Sequence, residues 1–337
     1  MPRPEPLGGF KILRPALFLS MHGGKDAYGA PRLFCEDIAR HKINLVFLNV
    51  DFYPHGTGAV FGIQGDQARE ASRLIKIPGT VISGKPVNSS IISLFPHKTR
   101  PEVSGLLIES LAKRALMPLA FAQSASAISA ALSEEITDQV TEAVFEPFSF
   151  GPYRTPEDWS LAQKGKEQIY KEVIASYQEK RPKVYALAWQ GGQTLARTVL
   201  REKAFMNLAS ALHAMNRQGT PLSFFVGTPA DQGESIAFSL TVPHRQNSEI
   251  LIQYLSRDSI EIGEGLTAVF HMNGPHFGDR YGIAGMLLKA FDNAGLSLIS
   301  LSCSVASITG VIAAEDMEAA TIALSSVFEI PSVSGMN

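Results

Sequence analysis

The second half of the chain repeats the first. With the numbering shifted by 180, Gly105, Leu107, Leu116, Ser124, Ile128, Glu135, Thr141, Ala143 and Phe148 fall on Gly285, Leu287, Leu296, Ser304, Ile308, Glu315, Thr321, Ala323 and Phe328 with no gap. A shift of 177 brings Leu45, Phe47, Gly56 and Phe61 onto Leu222, Phe224, Gly233 and Phe238. Two near-equal shifts in 337 residues mean that about half of the protein is a copy of the other half. Self-similarity of this kind restricts the fold more than any single motif, because each copy must bury its apolar face against another.

The copied segment divides again. Apolar runs at 12–20, 43–50 and 59–63 predict strands, with helix after Pro31 and helix over 66–75. The same order of strand, helix, strand, strand, helix returns at 91–145. It is clearest at 266–328, where Ile283, Leu287, Leu288 and Phe291 make a helical stripe and Gly295 closes it as a left-handed cap. A third, divergent copy holds helix 205–216, strands 222–226 and 235–242, and helix 248–255, with its first strand placed at Val184–Trp189. Residues 1–10 read as a loose lead. Residues 155–181 read as a linker helix, capped by Thr155, opened by Pro156 and stopped at Pro182.

A βαββα unit closed by a final strand is the split βαβ arrangement of ferredoxin-like folds. The expected fold class is therefore α+β, with tandem ferredoxin-like βαββαβ units at 11–80, 85–150, 183–262 and 265–332. Each antiparallel sheet would carry its helices on one face. Only short pieces, Thr80–Ile82 and Ser259–Ile262, remain for the closing strands, so these are expected to be borrowed, and open sheet edges to pair sideways with neighbours.

Composition excludes other classes. The chain is 45% hydrophobic with a formal net charge of −2 and no basic block, so neither nucleic acid nor an anionic membrane surface is an expected partner. The N-terminus lacks the long apolar run of a signal peptide. Cys35 and Cys303 lack metal-site spacing and read as small buried hydrophobes, which suits a cytoplasmic location. Of the histidines, only His271 and His276 are even loosely paired, so no metal and no cofactor is expected. Ser124 lies outside any Gly-x-Ser-x-Gly elbow, and Gly23-Gly24-Lys25 lacks a phosphate-loop frame.

The fourth copy resembles the regulatory ACT domains, those of aspartate kinases above all. The resemblance rests on Gly274, on Gly282-Ile283-Ala284 opening a helix with Leu287 and Phe291, on Ala294-Gly295-Leu296, on the hairpin SLSCSVASITGVI, and on Asp316 through Phe328. Ser304, Ile308 and Thr309 fill the family's serine and "kIs" places, without its lysine. The second copy fits at its hairpin, Ser124 to Ser129. The first fits through Gly29, Lys42-Ile43-Asn44-Leu45 and its hairpin. The start of an aspartate kinase catalytic domain, Lys-Phe-Gly-Gly, does not occur, so the resemblance implies regulatory ACT repeats without the kinase domain.

The resemblance also implies a site. The loop from Asn273 to Gly282, with Gly274, His276, Asp279 and Tyr281, leads to Ile283. Its counterpart holds His22, Gly23, Asp26, Tyr28 and Gly29. Both loops join a first strand to a first helix. Amides at a helix N-terminus hold a carboxylate, and Asp279 or Asp26 would meet an ammonium group. Ser124 and Ser304 complete the expected set, and glycines capped by Asp and His make the bland alternative. The resulting expectation is a regulatory sensor, more a binding protein than an enzyme, for an amino-acid effector, perhaps of the aspartate family, held between ACT units. It would form a homodimer and act on an amino-acid-biosynthetic enzyme. The alternatives are a structural oligomerisation module without ligand, and an enzyme using His276 and Asp279.

Overall fold

The computed structural model describes residues 3–74, 80–98, 100–153, 155–163, 181–230, 234–244, 248–256, 259–274, 280–304 and 307–335. The chain runs β1 (Glu5–Pro6), β2 (Gly9–Gly24), α1 (Ala30–Arg40), β3 (Leu45–Tyr53), β4 (Gly56–Gln64), α2 (Ala68–Arg73), β5 (Thr80–Phe95), α3 (Pro101–Lys113), β6 (Ala120–Gln123), β7 (Ile128–Ser133), α4 (Thr137–Val144) and β8 (Phe148–Ser149). After α5 (Pro156–Gln163) come β9 (Ala186–Leu200), α6 (Phe205–Arg217), β10 (Phe224–Ala230), β11 (Ser235–Pro243), α7 (Ser248–Leu255), β12 (Ile260–Ile262), β13 (Thr267–Asn273), α8 (Ile283–Asn293), β14 (Leu298–Ser304), β15 (Ser307–Ala313), α9 (Met317–Val327) and β16 (Val333–Ser334).

The fold is mixed α/β on one large, mainly antiparallel sheet. Its order is β11-β10-β6-β7-β5-β2-β4-β3-β14-β15-β13-β9, and β9 pairs with β11 as well, so the path of strands closes on itself. The closure depends on one long strand. The first part of β9, from Ala186, pairs with β13, and Gln193–Leu200 pairs with β11. Between the two parts lie the exposed glycines 191 and 192, the latter at φ +65, a conformation that favours glycine. β2 plays the matching part in the first half. Gly9–Leu13 pairs with Phe95–Ile91, and Ala16–Gly24 pairs with Gln64–Gly56 of β4.

Closure folds the strands into two stacked layers with helices outside. One apolar core places α1, α8 and α9 on β2, β3, β4, β13, β14 and β15. Another places α3, α4, α6 and α7 on β5, β6, β7, β10 and β11. Two smaller cores hold strand residues from both layers. Ala16, Phe18, Phe47, Val60, Ile91, Ala120, Ala122 and Ala131 form one, and Phe224, Val226, Val269 and Val311 form the other. These fill the interface where the helix-free faces meet.

Three sequence expectations change here. The N-terminal lead is not loose, since Glu5–Pro6 pairs with Phe148–Ser149 and β2 has begun by Gly9. The strand before α6 is Gln193–Leu200, the far part of β9, because the chain bends at the glycines and continues instead of ending at Trp189. His22 and Gly23 belong to β2, whose register with β4 runs on to Gly24, so the loop before α1 is shorter than expected. The linker helix is described over Pro156–Gln163, where Trp159 Nε1 donates to the Phe10 carbonyl at 3.2 Å and its ring stacks edge-on to Phe10. Ile169, Val173, Ile174 and Tyr177 lie outside the described residues. No helix among the described residues is long and apolar enough to cross a membrane.

Candidate functional site

The duplication sets up two equivalent joints between the halves. At one, β3 pairs with β14: Leu48 with Cys303, Asn49 with Ser302, Val50 with Leu301. At the other, β10 pairs with β6: Phe225 with Gln123, Val226 with Ala122, Gly227 with Phe121. Residues 177 apart in β3 and β10, and 180 apart in β6 and β14, therefore occupy matching places in one register. The halves meet as two copies do in an isologous dimer, with these three strand pairings present twice.

Glycine allows the helices over each joint to approach. A Cβ on Gly285 of α8 would stand 3.3 Å from the backbone of Cys35 and Glu36 in α1, and one on Gly105 of α3 would stand 3.0 Å from the His213 ring of α6. Gly105 and Gly285 are one of the repeat pairs, so the sequence match marks a shared helix crossing.

A small cleft of about 30 Å³, open to solvent, lies at the β3–β14 joint. One side is the start of α8, with Arg280, Gly282, Ile283, Ala284 and Gly285. Strand residues Cys303, Ser304, Ser307 and Ile308 form the floor, and Cys35, Ile38, Ile43, Leu45 and Val46 come from the first half. Gly282 is the N-cap of α8 at φ +87, and among the described residues no side chain caps the helix. Amides at the start of a helix lack intrahelical acceptors and favour an anion, and the Arg280 guanidinium adds a full positive charge. Burial holds both thiols mainly protonated, with Cys303 pushed up to about 12 and Cys35 higher still, where the neighbouring Cys303 and Glu36 add to the effect. The cleft can thus take a small carboxylate-bearing molecule at its polar end, with neutral sulfur and aliphatic groups along its walls.

Of the residues expected from sequence, Gly282, Ile283 and Ser304 line the cleft. Asn273 ends β13 and accepts a 2.5 Å hydrogen bond from Ser307 Oγ, Gly274 is buried, and Tyr281 is half-buried beside Gly282. His276 and Asp279 lie outside the described residues. The first-half set does not reach the cleft lining. His22 and Gly23 are in β2, Asp26 is exposed in a short 3-10 turn, Tyr28 donates to the Tyr53 carbonyl, and Gly29 precedes α1. Ser124 sits at the other joint, where its hydroxyl accepts from the Ala127 amide at 3.1 Å and tightens the β6–β7 turn. Arg280, Cys35, Cys303 and Ser307 were missed. The segment Lys42-Ile43-Asn44-Leu45 carried a signal, because it opens β3 opposite α8, but only the strand pairing shows what it faces.

No protein-family profile matches the chain. No curated protein matches it in sequence. Solved structures do. The chain superposes on the aspartate kinase of Synechocystis with a TM-score of 0.75 at 14% identity, over 96% of this chain and 56% of that one. The ligand-free regulatory subunit of aspartate kinase from Thermus thermophilus matches 42% of this chain with 99% of its own, at 18% identity and a TM-score of 0.37. The Clostridium acetobutylicum aspartate kinase matches 46% of this chain with 37% of its own, at 15% identity and a TM-score of 0.37. The fold is therefore one seen in aspartate kinases, and the chain spans little more than half the length of the first of these.

This likeness corrects the functional expectation. A sensor detached from any aspartate kinase, a ligand-free oligomerisation module and a His276–Asp279 enzyme all set the chain apart from such a kinase. The match instead takes in 96% of it within one aspartate kinase chain, and gives no support to the absence of a kinase domain.

Proposed function

We propose that this chain serves in an aspartate kinase-like protein under amino-acid regulation, and that the β3–β14 cleft is where a small carboxylate-bearing molecule acts on it. The observation that carries the reading is the meeting of a helix start with glycine at its N-cap, Arg280 and the first residues of β3 from the opposite half in one cleft. A ligand there touches both halves, so it favours whichever packing of the joint suits it, and its effect equals its difference in affinity for the two packings. On this reading the four βαββα runs are ACT-type units, near 11–80, 85–150, 183–262 and 265–332, and Asp279 meets the ligand's ammonium group. A cytoplasmic location and association with a second copy of the chain belong to the same proposal.

The test is MgATP-dependent phosphorylation of L-aspartate by the protein, trapped as the hydroxamate, with the twenty amino acids added in turn as effectors. The expected result is an activity that at least one amino acid shifts, with the shift weakened by about tenfold or more in Arg280→Ala, which removes the positive charge at the cleft's polar end. Absence of aspartate phosphorylation, together with no amino acid moving the melting temperature at millimolar concentration, overturns the reading.

A further inference from the structure

The β6–β10 joint has the same backbone frame as the β3–β14 joint, but at the matching place it is closed by one side chain. Gln123, 2% exposed, lies across it. Its Nε2 donates to the Leu222 carbonyl at 3.1 Å, and its Oε1 accepts from Ser104 Oγ at 2.5 Å. Leu222 belongs to the second half of the protein, Ser104 and Gln123 to the first. Under the two repeat shifts, Leu222 corresponds to Leu45, Ser104 to Ala284 and Gln123 to Cys303, and all three counterparts line the open cleft. Where one joint has Cys and Ala, the other has Gln and Ser. The longer side chain fills the space, and the hydroxyl satisfies its oxygen.

We infer that the β6–β10 joint contains a buried carboxamide-binding site, occupied by the chain's own Gln123 as an internal ligand. Its recognition groups are a carbonyl acceptor from Leu222 and a hydroxyl donor from Ser104, spaced for the two ends of one primary amide. This pairing discriminates against a carboxylate, because a carboxylate has no N–H for the Leu222 oxygen and would leave two acceptors facing each other in a buried place. The site is independent of the proposed kinase-linked function, since it needs no external ligand to exist. It also assigns different tasks to the two joints: one is held shut from within, and the other is left open for a molecule from solution.

The test is chemical rescue. Gln123→Ala removes a methylene and a carboxamide, a fragment the size of acetamide, and leaves the Leu222 carbonyl and Ser104 hydroxyl facing a void. The expected result is a melting temperature lower by about 4–8 °C, restored at least halfway by about 100 mM acetamide in a saturable manner, with acetate ineffective and the wild type unmoved. Equal shifts in wild type and variant, or no shift in the variant, overturn the inference. If Gln123→Ala does not fold, Gln123→Met keeps the bulk without the hydrogen bonds. Hydrogen exchange across 222–226 should then quicken about tenfold while that across 45–49 stays as in the wild type, and unchanged exchange at 222–226 overturns the inference.

Discussion

The two joints share a backbone and differ in what the side chains do with it. Between the layers, the β3–β14 joint is polar. Asn49 Oδ1 accepts from Ser302 Oγ at 2.8 Å, and Asp51 accepts from Ser300 Oγ at 2.6 Å. The matching places on β10 and β6 hold Val226, Ala122, Thr228 and Ala120. On the helix side, the first joint leaves a cleft and the second is closed by Gln123. A duplicated half therefore fixes strand register and helix crossing, while substitution at a few facing positions decides which joint is filled and which is left open. The contact between Asp51 Oδ2 and Thr228 Oγ1, at 3.4 Å, joins two matching residues, so the local two-fold relation runs through the middle of the sandwich.

The largest expected effect breaks this polar centre. Asn49 is fully buried, and its Nδ2 donates across the layers to the Phe121 carbonyl at 2.9 Å and the Gly227 carbonyl at 3.2 Å, the paired residues of the opposite joint. Asn49→Ala leaves those carbonyls and Ser302 without this partner, at a cost of about 3 kcal/mol in urea unfolding. Val226→Ala at the matching position loses only apolar contact, about 1–2 kcal/mol. Equal losses at the two positions would mean that Asn49 acts by shape alone, and the contrast between a polar and an apolar joint would lose its energetic content.

Asp51 sharpens the same contrast through pH. Burial pushes its carboxyl above the usual carboxylate range, and this outweighs the lowering by the Ser300 hydroxyl, the Arg197 charge and the Ser239 and Thr228 hydroxyls. A carboxyl raised in the folded state contributes stability below its unfolded value near 4, and that contribution is lost as pH rises through the folded value. Asp51→Asn keeps the shape and removes the ionisation. It should raise stability by about 1 kcal/mol at pH 8, have little effect at pH 4, and flatten the decline between them. Denaturation curves at the two pH values measure this, and a variant destabilised at pH 8 would show that attraction to the Arg197 charge outweighs burial.

How much of this the sequence held varies from element to element. Helix 248–255 was read at its observed bounds, and Gly295 is left-handed at φ +66 as its cap role required, because local periodicity and a special backbone conformation leave marks in the residues themselves. The long strands were cut short. The expected strand Val184–Trp189 stops short of glycines 191 and 192, whereas β9 continues through them to Leu200 and bends there from one layer to the other. Gly282, Ile283 and Ser304, expected from their copy-to-copy and family pattern, line the candidate cleft. Arg280, Cys35 and the role of Gln123 were not legible in the sequence, because nothing local distinguishes a side chain that fills a joint from one that leaves it open. That depends on which strand of the other half lies opposite, which is a long-range property of the closed ring.

The smallest expected effect concerns the helices over each joint. At the β6–β10 joint, His213 of α6 lies between two carboxylates of α3, with Nδ1 3.1 Å from Glu102 and Nε2 2.9 Å from Glu109. Over the β3–β14 joint the only comparable contact among the described residues is Arg32 with Asp292, at 3.4 Å and with Asp292 well exposed. The Glu109 carboxyl is held below its ordinary value. Burial alone would raise it, but hydrogen bonds from Lys113 and His213, together with their charges, outweigh that. A lowered carboxyl contributes stability above its unfolded value near 4.5, and that contribution is lost as pH falls through the folded value. Glu109→Gln keeps an acceptor and removes the charge, so it should cost about 0.5 kcal/mol at pH 7 and nothing measurable once pH is well below 4, because such partly exposed pairs are screened by solvent. Asp292→Asn should cost less still at pH 7, since its single partner is farther away. A larger loss from Asp292→Asn than from Glu109→Gln would reverse the order of the joints, making the open one the more strongly held by charge.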